Sequence, residues 1–149
     1  MAAATGLRIG WTISSPEITK PMVIANQYIS TCASSVSQYA AIKALDGSSC
    51  QFLKDIRANL QFKRDYAYSF LTDIPHISVE KPKGANISWF GFSKDVAHKI
   101  LKDCDVLTIP GIAFGDRGDN HIRISYAVDF DNLKEALFRI KNVLSNWRK

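Results

Sequence analysis

Two arginines stand inside short runs whose residues alternate as β-strands do. In GDNHIRISYAVD, residues 118–129, Ile122, Ile124, Tyr126 and Val128 share one face, and His121, Arg123, Ser125 and Ala127 share the other. In LRIGWTI, residues 7–13, Leu7, Ile9, Trp11 and Ile13 alternate against Gly6, Arg8, Gly10 and Thr12, placing a second arginine on a face of small residues. A guanidinium is a rigid, permanently charged fork of donors that fits an oxyanion bidentately. Spacing alone leaves two readings of Arg123: a solvated or cross-strand ion-paired side chain, or an anchor for an anion.

The elements around these arginines follow from capping and periodicity. Ser15 and Pro16 predict a helix start, with a kink or restart at Pro21, where a backbone donor is missing. Ser35 and Gln38 form a capping box for a helix carrying Val36, Tyr39, Ala40 and Leu45, which Asp46 and Gly47 stop. A longer helix is expected over residues 49–72, with Phe52, Ile56, Leu60, Ala67 and Leu71 near one face and Pro75 ending it. Lys54, Arg57, Lys63 and Arg64 read as its wet face. Beyond Pro75, HISVE and ANISWFGF flank the turn-rich KPKG as a hairpin. A helix from Ser93 to about Asp103 follows, then a strand DVLTI, the turns of PGIAFGDRGDN, and the strand of Arg123. Asp129 caps a last helix with Leu133, Leu137, Ile140, Leu144 and Trp147 inward. His121 reads as a packing group beside Arg123, and His76 and His98 as loop and helix-surface residues.

Composition narrows the class. With 149 residues, 46% hydrophobic and 22% charged, the chain has material for one core and a further small lobe, and does not read as disordered. The net charge of +5 comes from scattered Lys and Arg, with no run of about five like charges, no basic stripe and no stacking-aromatic motif, so a nucleic-acid partner is not expected. Cys32, Cys50 and Cys104 are odd in number and far apart, which suggests neither a disulfide framework nor a thiolate metal site and points to a reducing, cytoplasmic compartment. No leader pattern opens the sequence, and no stretch of about 18 apolar residues would span a membrane. RGD at residues 117–119 and NIS at residues 86–88 read as chance tripeptides.

Three stretches, TGLRIGW, VEKPKGA and IPGIAFGDRGDNHIRISYA, occur in the order and at roughly the spacing of the fold-type I, pyridoxal 5'-phosphate (PLP)-dependent aminotransferases of the aspartate aminotransferase superfamily. SSVSQYAAIKAL between them is also similar to that family, and the resemblance covers the whole chain. It implies that Arg8 contacts the cofactor phosphate, with Gly6 and Gly10 letting a bulky phosphate near the backbone. It implies that Arg123 clamps the α-carboxylate of the amino-acid substrate. The implied fold is α+β: a mixed small-domain sheet flanked by helices, preceded by a strand and helices belonging to the large domain.

The resemblance also calls for a lysine that forms a Schiff base with the cofactor and shuttles a proton, about eight residues before the arginine matching Arg8. That position falls at or before Met1, and the first lysine is Lys20. No catalytic residue is therefore assigned, and none is assigned to a metal. Asn86 and the following SWFGF depart from the family pattern, which leaves substrate side-chain preference unread. The chain is expected to be a C-terminal part of such an enzyme, residues 1–47 from the PLP-binding large domain and residues 48–149 the connecting helix and small domain. The parent reaction is amino transfer between an amino acid and a 2-oxo acid. The chain alone is expected to bind no PLP and to be inactive, with the strand of residues 7–13 a route to a homodimer or looser self-association. The alternative is a non-catalytic binding or regulatory module that keeps the small-domain fold and a carboxylate site.

Overall fold

The computed structural model describes residues 5–84, 87–90 and 95–145. The chain divides into two compact units, Met1–Arg57 and Ala58–Lys149.

In the first unit a 3-10 turn, Thr5–Leu7, leads through residues 8–15, which join no sheet, into α1 (Pro16–Ile29), α2 (Ser35–Leu45) and the opening turns of α3 (Cys50–Thr72). The strand expected over residues 7–13 does not form. Its alternation stands, but a strand exists by its ladder, and the described residues of this unit supply no second one. α1 starts at Pro16 as expected, with Ile18 and Thr19 donating to the Ser15 carbonyl at 3.1 and 2.9 Å. It does not restart at Pro21, because the lost bond, to the Glu17 carbonyl, lies close to the helix end and α1 continues to Ile29. Ser34 rather than Ser35 takes the cap position of α2. Gln38 donates its backbone N–H to the Ser34 carbonyl and its side-chain Nε2 to the Ala33 carbonyl, each at 3.0 Å, and the cap residue makes no side-chain bond, so the expected capping box does not form. Gly47, at φ +88°, ends α2 at the expected stop.

The second unit is α+β. Strands β1 (Ser78–Val79), β2 (Ile87–Phe90), β3 (Ile109–Pro110) and β4 (His121–Ile124) form one sheet in the order β1-β2-β4-β3. Every pairing among the described residues is antiparallel, which corrects the mixed sheet expected from sequence. α4 (Asp95–Cys104) does cross from β2 to β3, but those strands are not neighbours; β4 inserts between them and runs opposite to both. The hairpin of β1 and β2 is as expected, with Ser78 opposite Phe90. The DVLTI strand shrinks to Ile109–Pro110, because Asp105 leaves α4 in the left-handed region at φ +54°, its N–H turned back to the Leu101 carbonyl at 3.2 Å. Ser93, Asn86 and Trp147, for which roles are expected from their positions, lie outside the described residues.

The core gathers Ala67 and Leu71 of α3, Ile74, Val96 and Ile100 of α4, Ile122 and Ile124 of β4, Tyr126, and the inward row Leu133, Leu137, Ile140 and Leu144 of α5 (Phe130–Ser145). Asp129 caps α5, its Oδ1 accepting from Asp131 N at 2.9 Å. α3 is held to the strand–helix corner by Lys63 Nζ, which donates to the Val128 carbonyl at 2.6 Å, and by Phe62 and Tyr66, whose rings lie 4.9 and 5.1 Å from that of Phe130. Lys54 and Arg57 are exposed as expected, but Lys63 and Arg64 are not a wet face. Arg64 pairs with Asp65 at 2.7 Å and turns Nη1 toward the Pro82 carbonyl at 3.5 Å, with its side chain 17% exposed.

The two units differ in what a truncation removes. Leu137 is fully packed, whereas Tyr39 of α2 is 74% exposed. Leu137→Ala should cost about 2–5 kcal/mol of unfolding free energy, and Tyr39→Ala less than about 0.5 kcal/mol, in denaturant titrations of the two variants.

Candidate carboxylate site on strand β4

β4 has neighbours on both edges: Arg123 faces Ser88 of β2 on one side and Ile109 of β3 on the other. Ile122, Ile124 and Tyr126 are buried, so the pleat turns His121, Arg123 and Ser125 to the opposite face, where Arg123 is half-buried and Ser125 exposed. The alternation expected from sequence holds from Ile122 to Tyr126; Val128 lies beyond the strand and is exposed. His121 Nδ1 is 2.7 Å from the Asp119 carbonyl, a local contact that orients the ring and fits the packing role expected of it.

The turns before β4 bring a group to Arg123 that sequence reasoning missed. Two short 3-10 turns, Gly111–Phe114 and Asp116–Gly118, are closed by Gly115 N to the Ile112 carbonyl at 3.1 Å and Gly118 N to the Gly115 carbonyl at 2.8 Å. Within them the Phe114 ring lies 5.1 Å from the Arg123 guanidinium carbon. The two ends of this segment touch backbone to backbone: a Cβ on Gly118 would overlap the Gly111 carbonyl, and one on Gly111 would meet Gly118 O and His121 Cβ. Glycine at both positions is a packing requirement. The sequence showed the glycines as turn formers, but not that positions seven apart must meet.

Arg8 is described within its own unit. It is exposed, at φ +49°, with its N–H directed to the Thr5 carbonyl at 3.2 Å and Nη1 3.5 Å from the same oxygen. Gly6 and Gly10 have open space where a side chain would stand. Ser37 Oγ donates to the Leu7 carbonyl at 2.8 Å, tying α2 to this turn, and Ser37 is the one buried residue among those described in the unit.

Elsewhere in the second unit, Tyr66, Phe70, Asp131, Lys134, Glu135 and Phe138 line an open depression of about 360 Å³. Its lysine pairs with Asp131 at 2.6 Å. Among the described residues no cluster of His, Cys, Asp or Glu is arranged to hold a metal ion, and no helix is long and apolar enough to cross a membrane. Cys32 and Cys50 are exposed and Cys104 is buried, all as free thiols; burial pushes the Cys104 thiol up from its ordinary range.

On the inner face of β4, burial raises the Tyr126 hydroxyl above its usual pKa, with a smaller opposing effect from Arg64. The folded chain therefore keeps this proton longer than the unfolded one. The stability contributed by neutral Tyr126 is full below about pH 10 and declines as pH rises through the folded value. Stability measured between about pH 8 and 11.5 should fall more steeply in the wild type than in Tyr126→Phe, which has no proton to lose there; parallel curves would contradict this.

Comparison with known proteins adds to this geometry. The family model described as aminotransferase class I and II matches residues 2–140. The chain is 37% identical to a probable aspartate aminotransferase of Methanocaldococcus jannaschii and 35% identical to aromatic-amino-acid aminotransferase 2 of Thermococcus litoralis, in each case over 95% of the chain. It covers 40% and 38% of those two proteins. Among solved structures, the aromatic aminotransferase from Pyrococcus horikoshii superposes with a TM-score of 0.84 at 33% identity, over 95% of this chain and 40% of that one.

Proposed function

The chain belongs to the class I and II aminotransferases, and on that premise we propose that it is the C-terminal part of a PLP-dependent enzyme that moves an amino group between an amino acid and a 2-oxo acid. The observation that carries this reading is Arg123, held half-buried on an inner strand of the sheet that is paired on both edges, with its fork on the face away from the core. In this role the guanidinium binds the α-carboxylate of the amino acid or the oxo acid. That fixes the orientation of Cα and leaves the side chain to other parts of the protein.

The family is PLP-dependent, and the cofactor supplies an electron sink for the pair left at Cα when its proton is removed. An exposed arginine between two glycines with open space fits one phosphate contact, so Arg8 would hold the cofactor phosphate. The described residues of the first unit show no further group arranged around it. No lysine precedes Lys20, so the lysine that the resemblance requires before Arg8 is not among these 149 residues, and the chain taken alone is proposed to be inactive and not to bind PLP. The proposed division into a large-domain part, residues 1–47, and a connecting helix with small domain, residues 48–149, rests on the same resemblance, and the proposed cytoplasmic location rests on the three scattered cysteines.

A second reading, a non-catalytic binding module, is favoured by the hydrophobic core lying wholly within the second unit, which can keep a carboxylate site without the rest of an enzyme. One experiment separates the two. A chimera in which this chain replaces the matching C-terminal part of the Methanocaldococcus relative should transaminate, and Arg123→Lys in it should lower kcat/KM by about 30-fold or more, since a point charge replaces a bidentate fork. The unfused chain should give no borohydride-trapped PLP adduct on a single lysine. A chimera whose kinetics ignore Arg123→Lys overturns the role of Arg123, and a folded but inert chimera favours the second reading.

Self-association is proposed to run through the first unit, where Trp11, Ile13, Tyr28, Ile29 and Tyr39 are all exposed. Sedimentation of the chain should show mass rising with concentration, and deletion of residues 1–47 should abolish that rise; an unchanged rise would place the contact elsewhere.

A further inference from the structure

We infer that Phe114 is a positioning residue for the carboxylate site, and that the glycine-clasped turns of residues 111–118 exist in this protein as its mount. The inference rests on the reading of Arg123 as a carboxylate anchor and adds to it the group that sets the fork.

A free arginine side chain samples many rotamers, and each one frozen on binding weakens the complex. A ring beside the guanidinium restricts it beforehand. The attraction acts between the cation and the π-cloud and uses no N–H, whereas a carboxylate is bound through the N–H edge, so ring and ligand make different demands on one group. Phe114 is 62% exposed, so its place against Arg123 is not set by burial in the core. What sets it is backbone. The Gly111 carbonyl lies where a Gly118 side chain would be, the intervening residues wind as two 3-10 turns, and Gly115 at φ +118° makes the bend between them. The clasp closes three residues before His121, so the ring is tied to the same strand that carries the arginine.

The test uses the full 149-residue chain with 15N-labelled arginine, reading the Nε–Hε resonance of Arg123, assigned by its loss in Arg123→Lys, during titration with pyruvate. In the wild type this resonance should carry a ring-current offset and move as pyruvate binds. Phe114→Leu should remove the offset and weaken pyruvate binding about two- to fivefold, while Phe114→Tyr and Phe114→Trp stay within about twofold, because they keep a ring. Gly118→Ala, which breaks the clasp, should reproduce the Phe114→Leu loss with the phenyl ring still present. Pyruvate binding equal in Phe114→Leu and wild type, with the Arg123 resonance responding in both, overturns this inference alone. A wild-type Arg123 resonance indifferent to pyruvate overturns the reading of Arg123 and the inference with it.

Discussion

The period-two pleat of β4, with one face committed to the core, is the constraint from which the rest of the second unit follows. Ile122, Ile124 and Tyr126 can be buried together only if Arg123 points the other way, and a slip of one residue would exchange the two sets. Pairing on both edges, to β2 and to β3, removes that freedom. The helices complete the arrangement: α5 lays its row of leucines and isoleucine on the buried face, and Lys63 of α3 holds the carbonyl of Val128 where the chain leaves the strand.

The clasp of Gly111 on Gly118 acts one level further out. It spends no hydrophobic area and makes no ion pair; it lets two stretches of backbone come closer than any side chain would allow. A substitution there would leave the core intact while moving the ring that faces the arginine. Packing in this protein therefore serves stability and site geometry through different residues.

The face of Arg123, the inward row of α5, its Asp129 cap and the β1–β2 hairpin were legible because each is written within about a dozen residues, in alternation, capping or turn chemistry. What was not legible depends on distant partners. Residues 7–13 alternate as a strand does, yet the first unit offers them no ladder. DVLTI is apolar enough for five residues of strand, but the left-handed exit at Asp105 leaves only Ile109–Pro110 paired. Arg64 looked like a solvated helix residue because nothing local showed that Asp65 and the Pro82 carbonyl would gather around it. Nothing local marks Phe114, since its partner lies nine positions on and across a double turn.

The account makes β4 the fixed point of the chain, and native-state hydrogen exchange reads that directly. The amides of His121–Ile124 that lie in the ladder, together with those of the inward turns of α5, should be among the slowest to exchange, opening only with global unfolding, while α1 and α2 exchange by local opening at far lower cost. Fast exchange across β4, with protection concentrated in α1 and α2 instead, would contradict the claim that this strand is what holds Arg123 in place.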